Sequence, residues 1–236
     1  MRAVEKTENA FEAIERLILN GSTPPGAPLR VATLSKSLNI SATPVREALA
    51  RLEEKRLAVA GENCGWRVAP VSLAELKDLE DARLSIEERL LEDSITHGDI
   101  EWESNLIAAH HRLMRTPQPI GSDTIEDRER WASVHDGFHK GLLAAGRSSW
   151  LKKFHDTTLL QLNRHHQALL FHPAVINPKG PDNHSSETLE ALQRALAPEH
   201  HSLLMQAALD RDQKAAKRLL REHVEIALAS YKSILE

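Results

Sequence analysis

The sequence predicts a mainly α-helical protein, with an N-terminal winged helix-turn-helix over residues 1–70 and a C-terminal all-α helical bundle over residues 71–236. Three observations lead to this fold class. Three short helical patterns precede a strand–turn–strand pattern near the N-terminus. Only helical periodicity follows residue 72, and 236 residues suffice for two domains. Pro70 and Val71 mark the predicted boundary.

The first two helices have clear sequence signals at their ends. An apolar stripe at i, i+3 and i+4 spacing predicts the first helix, and its members are Phe11, Ile14, Leu17 and Ile18. Gly21 and the run 22–26, which holds two prolines and a glycine, end this helix. A second, shorter helix is predicted over residues 31–38.

The third helix is predicted to run from Pro44 to about Lys55. Thr43 is a suitable N-cap, and proline is favoured at the first helical position. Residues 57–60 and 66–68 then predict two short strands joined by a turn. Three short helices followed by a hairpin are the element order of a winged helix-turn-helix.

The remaining sequence predicts helices joined by two longer loops, over 116–126 and 173–181. Ser72 is a suitable cap for the first of these helices, which is lined by leucines. The other predicted helices span 100–113, 129–145, 150–170, 185–196, 198–208 and 210–235.

Composition narrows the class of protein. No apolar run approaches the roughly 18 residues that span a bilayer, and no signal-peptide core is present, so we expect no membrane partner. The single cysteine, Cys64, cannot form an intrachain disulfide, which fits a reducing cytoplasm. The net charge is −4, but residues 1–70 hold ten basic and eight acidic residues, so the head is mildly basic on an acidic body.

The head resembles the GntR family of bacterial regulators. The resemblance depends on the block Ser41-Ala42-Thr43-Pro44-Val45-Arg46-Glu47-Ala48-Leu49, on Leu34 to Leu38 before it and on Gly65 and Val68 in the wing. It implies that the protein binds a double-stranded DNA operator, as a homodimer on a two-fold symmetric site. The residues expected to contact DNA are Lys36, Ser41, Thr43, Arg46, Gly65 and Arg67.

Arg46 is the residue expected to read a base. Arg46 lies in the first turn of the third helix, on the side opposite Val45 and Leu49, where a base edge would be met. The alternative role of Arg46 is a surface ion pair with Glu53 or Glu54. The family commonly has arginine where this chain has Ala42, and in some members where it has Ala32, which leaves the operator sequence open.

Residues 75–230 resemble the FCD effector domain of the FadR-type branch of this family. The matching features are Arg83 with Glu87, the pair Phe138-His139, and His201 and His223 at the family's spacing. Many FCD domains hold a divalent metal through one aspartate and three histidines. The aspartate position is occupied here by His135, so the resemblance implies a site made of His135, His139, His201 and His223, with Zn²⁺ or Ni²⁺ as the expected ion.

Two alternatives stay open at this site. Asp136 lies on the same helical face as His139 and could replace His135 as a ligand. A single helical histidine is more often a surface or hydrogen-bonded core residue than a ligand, but three histidines beside apolar neighbours need partners. The histidines at 110, 111, 165, 166 and 200 lack this support and are predicted to be surface residues.

Arg83 is the candidate effector-binding residue. The resemblance implies a clamp for a small carboxylate effector, since a guanidinium fork matches a carboxylate. The alternative role of Arg83 is an i,i+4 ion pair with Glu87, worth about 0.2–0.5 kcal/mol. The FCD resemblance implies an organic acid as the effector and does not say which one.

The resemblances predict a regulator and not an enzyme. Two other functions remain alternatives, a metal-dependent hydrolase and an architectural DNA binder. His135-Asp136-x-x-His139 imitates the metalloprotease pattern, although aspartate is shorter than the usual glutamate. Hydrolysis of peptide or ester substrates by metal-loaded protein would support that alternative. An architectural DNA binder would instead have an empty, dry cavity in its helical body.

Overall fold

The computed structural model describes residues 3–61, 65–122, 124–170 and 190–235, except 192 and 195. The chain forms two compact units. The first comprises residues 1–72 together with 161–168, and the second comprises 73–160 and 169–236. No described helix combines the length and hydropathy needed to cross a membrane.

The first unit contains three helices, α1 (Ala3–Leu19), α2 (Val31–Leu38) and α3 (Ala42–Glu54). The predicted apolar stripe of α1 is buried against α3 because both helices present one apolar face. The buried side chains that form this core include Phe11, Ile14, Ile18, Leu34, Val45, Leu49 and Leu52. The structure therefore confirms the three predicted helices of the head.

A three-stranded antiparallel sheet completes the unit, formed by β1 (Pro28–Leu29), β2 (Ala58–Gly61) and β3 (Gly65–Val68). The strand order is β1-β3-β2, and Val59 pairs with Arg67 in the β2–β3 hairpin. This hairpin confirms the predicted wing. The wing tip around Asn63 and Cys64 lies outside the described residues.

The start of α3 differs from the prediction. Helix α3 begins at Ala42, and the N-cap residue is Ser41, whose backbone is extended. Thr43 and Pro44 therefore lie inside the first turn. Proline is tolerated there because backbone N–H groups of the first turn have no intrahelical acceptor.

The second unit is helical throughout its described part. Its helices are α4 (Leu73–His97), α5 (Ile100–Arg115), α6 (Ile125–Leu142), α7 (Ser149–Leu170), α8 (Glu199–Leu209) and α9 (Gln213–Leu235). Residues 161–168 of α7 belong to the first unit. The prediction of a helical body is confirmed. Of the predicted 185–196 helix, the described residues between 190 and 196 are helical, whereas the predicted loop 173–181 lies outside the described residues.

The core of this unit brings α6, α8 and α9 together. Helix α9 packs on α4 and α8, and α5 packs on α6 and α8. One cluster of buried side chains joins them and includes Leu90, Leu106, Phe138, Leu142, Leu204 and Leu220. The indole N–H of Trp102 donates a 3.0 Å hydrogen bond to the carbonyl of Gly141, which ties α5 to the end of α6. These contacts set the positions from which the candidate site is built.

Candidate metal centre and nucleic-acid interface

Four histidines from three helices converge in the second unit. His135 and His139 lie on α6, His201 on α8 and His223 on α9. One ring nitrogen of each can be chosen so that all four lie within 4.8 Å of one another. A tetrahedral zinc site with Zn–N distances of about 2.1 Å has its nitrogens about 3.4 Å apart. The rings therefore need only a small inward shift to share one ion.

Local sequence explains why these rings point inward. His135 and His139 are four residues apart, so they share one face of α6. His201 lies one turn before the buried Leu204, and His223 lies one turn after the buried Leu220. The apolar stripes of α8 and α9 thus carry their histidines into the core as they pack.

The burial of these rings fits a shared ion. His139 is 3% exposed, His201 1% and His223 6%, and the His135 side chain is 13% exposed. Among the described residues, Nε2 of His139 and both ring nitrogens of His201 have no hydrogen-bond partner. Leaving a buried polar atom unpaired costs about 1–3 kcal/mol. Coordination of a divalent ion would use one nitrogen of each ring, including one of the two on His201, so the four residues fit the metal that the resemblance implies.

The protonation state fits as well. Burial lowers the pKa values of His139, His201 and His223 well below the ordinary range, and the neighbouring histidines lower them further. The three rings are therefore neutral at pH 7. Neutral imidazole is the form that binds a metal.

Asp136 lies beside the cluster rather than within it. Its Oδ1 is 3.5 Å from Nδ1 of His135. The group of ligand atoms that lie close together contains His135 and not Asp136. The geometry thus favours the alternative in which His135 completes the site.

Arg83 lies in a buried charged network on α4. The i,i+4 pair of Arg83 with Glu87 is present, and Arg83 is only 4% exposed, so the pair is buried. Its Nε donates to Oε1 of Glu87 at 2.9 Å, and its Nη1 donates to Oε2 of Glu80 at 3.3 Å. Nε2 of His155, on α7, lies 2.7 Å from the same Glu87 oxygen. Glu87 therefore joins two helices through two basic side chains.

Arg83 and Glu87 are charged at neutral pH. Burial alone would lower the pKa of Arg83, but the carboxylates of Glu87 and Glu80 raise it above its ordinary value. Burial would likewise raise the pKa of Glu87, whereas Arg83 and the hydrogen bond from His155 lower it overall. Arg83 is also near enough to lower the pKa values of His139 and His223. The guanidinium is thus a neighbour of the histidine cluster.

The sequence analysis did not predict two members of this charged network. Glu80 and His155 are buried but were not singled out. A usable signal was present, because Glu80, Arg83 and Glu87 are spaced at i, i+3 and i+7 on the same helical face as buried leucines.

The prediction that five histidines lie at the surface is wrong for several of them. His165 is 1% exposed. His110 and His200 are partly buried and bind Oγ of Ser202 and the carbonyl of Leu219, each at 2.8 Å. Their neighbours come from distant helices, which sequence spacing does not reveal.

The recognition helix α3 keeps one face exposed. Ser41, Thr43 and Arg46 are exposed, whereas Val45 and Leu49 are buried. Arg46 forms no ion pair with any described residue. The alternative partner Glu53 instead accepts a 2.7 Å hydrogen bond from Nε1 of Trp66 on β3.

The other predicted DNA contacts lie on exposed parts of the same unit. Lys36 is exposed on α2. Gly65 begins β3 with φ +86°, a left-handed conformation that glycine adopts without strain, and a side chain there would meet no atom within 4 Å. Arg67 is exposed, and its Nη1 donates to the carbonyl of Gly26 at 3.2 Å. These positions leave the backbone and both cations accessible to a ligand.

Helix α1 packs against the side of α3 that faces away from the exposed recognition face. Oγ1 of Thr7 donates to Glu47 at 2.7 Å, and Glu8 pairs with Arg51 at 2.7 Å. Arg51 also lies over the ring of Phe11, 4.3 Å from its centroid. Because Arg51 is used inside the unit, Arg46 is the better-placed arginine of α3 for a ligand outside it.

The first unit is a winged helix-turn-helix with an exposed recognition face, and the second is a helical bundle with a buried polar site. This combination is typical of a DNA-binding regulator with a sensing domain. Comparison with family models gives the same result. Residues 6–68 match the model described as bacterial regulatory proteins, gntR family, and residues 78–226 match the FCD domain. The chain belongs to the GntR family of DNA-binding transcriptional regulators, in its FCD-containing branch, which confirms both resemblances.

Relatives cover nearly the whole chain. The HTH-type transcriptional repressor GlaR of Escherichia coli is 30% identical over 216 residues, covering 92% of this chain and 91% of GlaR. The uncharacterized regulator BphR of Paraburkholderia xenovorans is 27% identical over 222 residues, covering 94% and 83%. These relatives are regulators, and they lend no support to the hydrolase alternative.

Solved structures share the fold. E. coli McbR/YncC superposes with a TM-score of 0.72 at 19% identity, covering 98% of this chain and 99% of that one. A putative GntR regulator from Rhodococcus sp. RHA1 gives 0.71 at 19% identity, covering 97% and 98%. These similarities support the fold alone.

Proposed function

We propose that this protein is a ligand-responsive transcriptional regulator whose effector is a small organic acid bound at or near a divalent metal ion. Residues 1–70 would bind the operator, and residues 71–236 would bind the effector and dimerise. The observation that carries the proposal is the buried four-histidine cluster with the Arg83 guanidinium as its neighbour. A cation and a metal site together suit an anionic ligand.

His135, His139, His201 and His223 would hold the ion, and Zn²⁺ or Ni²⁺ suits four imidazole donors. With four protein ligands, an effector carboxylate would bind only if the ion expanded to a fifth ligand, as zinc sometimes does in catalytic sites. Arg83 is oriented by Glu80 and Glu87 through its Nε and Nη1. Its Nη2 makes no hydrogen bond to a described residue, so that group would be free to bind an effector oxygen.

On DNA, a homodimer would place one α3 helix in each half-site of a two-fold symmetric operator. Arg46 would contact a base edge, and Ser41, Thr43 and Lys36 would contact phosphates. Gly65 and Arg67 would bring the wing to the neighbouring groove. Such a protein acts in the bacterial cytoplasm, where its operator lies.

Effector and DNA would be coupled through different affinities of the effector for two states of the dimer, by about 1–3 kcal/mol. One relative is named a repressor, which favours repression that the effector relieves. We therefore expect effector binding to lower operator affinity.

The test measures operator binding by fluorescence anisotropy with metal-loaded protein and a panel of mono- and dicarboxylates. We expect at least one carboxylate to weaken operator binding about fivefold or more. The double variant His201→Ala, His223→Ala should bind operator without responding to that carboxylate. An unchanged response in the double variant would refute an effector site at the metal.

A further inference from the structure

We propose that the four-histidine site prefers divalent ions that favour nitrogen ligands over ions that favour oxygen ligands. We further propose that His135 is the residue that decides this selectivity. The inference depends on the metal-binding part of the proposed function. It predicts tight binding of Ni²⁺, Zn²⁺ and Co²⁺ and weak binding of Mg²⁺, Ca²⁺ and Mn²⁺.

The donor set is the first argument. Within the described residues, the close group of potential ligand atoms consists of four imidazole nitrogens and no carboxylate oxygen. Imidazole suits zinc, copper and nickel, whereas magnesium, calcium and manganese prefer oxygen ligands. Four neutral donors also leave the charge of the ion uncompensated among its direct ligands. For an ion that prefers oxygen ligands, binding here would therefore compensate little of the free energy needed to remove its water ligands.

The nearby carboxylates do not supply the missing oxygen. Asp136 already lies 3.5 Å from His135, and Glu87 binds both Arg83 and His155. Moving the Glu87 carboxylate to a metal would leave the buried Arg83 charge with less compensation. Glu87 thus compensates Arg83, and the direct ligands of the ion would remain nitrogens.

His135 is the ligand best placed to change this balance. His139, His201 and His223 are buried in the core, whereas the His135 side chain is 13% exposed and lies nearest to solvent. Its ring stacks on Trp131 at a centroid distance of 4.8 Å and an angle of 18°, which holds it towards the cluster. An aspartate at this position would direct one negatively charged oxygen to the same side of α6. His135→Asp should therefore raise Mn²⁺ affinity relative to Ni²⁺.

The experiment uses full-length, tag-free protein stripped with EDTA. Dissociation constants for Mg²⁺, Ca²⁺, Mn²⁺, Co²⁺, Ni²⁺ and Zn²⁺ are measured by competition with a chromophoric chelator, and melting temperatures are recorded with each ion. For the unaltered protein we expect the Kd for Mn²⁺ to exceed that for Ni²⁺ about a hundredfold or more. His135→Asp should reduce this ratio at least about tenfold. The matched control His111→Asp, at an exposed position on α5, should leave the ratio unchanged.

The outcomes separate this inference from the proposed function. If the unaltered protein binds no ion at all, the metal-binding part of the proposed function fails. If it binds Mn²⁺ as tightly as Ni²⁺, only the selectivity is wrong. If His135→Asp binds metal with the original ratio, His135 does not decide selectivity. Should that variant fail to fold, His135→Gln offers a neutral oxygen donor, and an unchanged ratio in it would overturn the assignment equally.

Discussion

Replacing Glu87 by glutamine should destabilise the helical body strongly. Glu87 is fully buried and its Oε1 accepts from Arg83 at 2.9 Å and lies 2.7 Å from His155. Removing one partner of a buried ion pair costs about 3–5 kcal/mol, because the remaining charge stays buried. Glutamine keeps the shape and part of the hydrogen bonding, and Glu80 still faces Arg83, so we expect the lower end, about 3 kcal/mol.

The assay is urea unfolding at pH 7, followed by circular dichroism, with thermal melting alongside. For a chain of this size, 1 kcal/mol corresponds to a change of about 2–4 °C in melting temperature. Glu87→Gln should therefore melt about 6–12 °C lower. Glu88→Gln is the matched control, because Glu88 pairs with the exposed Arg221 and should show no measurable loss.

The pH dependence follows from the direction of the pKa shift. The pKa of Glu87 in the folded state lies below its ordinary value of 4.5. The stabilisation by its ionised form is therefore complete above that value and is lost as the pH falls through the folded-state pKa. The stability difference between the unaltered protein and Glu87→Gln should be constant from pH 7 to about 5.5 and shrink at lower pH. A loss below about 1 kcal/mol at pH 7, or a difference that grows on acidification, would refute the reasoning.

Three further outcomes are expected at the two candidate sites. Arg46→Ala should reduce discrimination between operator and scrambled DNA about tenfold or more, with a smaller change in overall affinity, as measured by anisotropy. Arg83→Lys should weaken carboxylate binding at least about tenfold in calorimetry while leaving unliganded operator binding intact, since lysine keeps the charge but lacks the separate Nη2 group that would face the effector while Nε and Nη1 bind Glu87 and Glu80. Chelator should lower the melting temperature of metal-loaded protein, and His201→Ala should abolish that difference.

Each of these outcomes has a result that would contradict it, and the Arg83 outcome has a matched control. Arg89→Lys, exposed on α4, should bind carboxylate normally, and equal affinities for Arg83→Lys and Arg89→Lys would remove Arg83 from the effector site. Retained operator discrimination in Arg46→Ala would mean that other residues read the bases. A melting temperature indifferent to chelator and to added Zn²⁺ or Ni²⁺ would show that the four histidines are ordinary core residues.

Much of the architecture was already determined by local patterns. The spacing of Phe11, Ile14 and Ile18 gave the first helix, and the block around Arg46 with the following hairpin gave the winged head. The i,i+4 relation of His135 and His139 also assigned both rings to one face of one helix. These features depend on residues a few positions apart, which the backbone geometry of helices and strands relates directly.

Only the tertiary structure decided which distant side chains meet. The approach of His201 and His223 to His135 was expected from a family resemblance, but their mutual distances and burial depend on how α8 and α9 pack against α6. The same packing buries Arg83 and brings His155 from α7 to Glu87. Helical periodicity specifies which face of a helix is apolar, and it does not specify which face of which other helix will cover it. Contacts between helices far apart in the chain therefore had to be read from the folded protein.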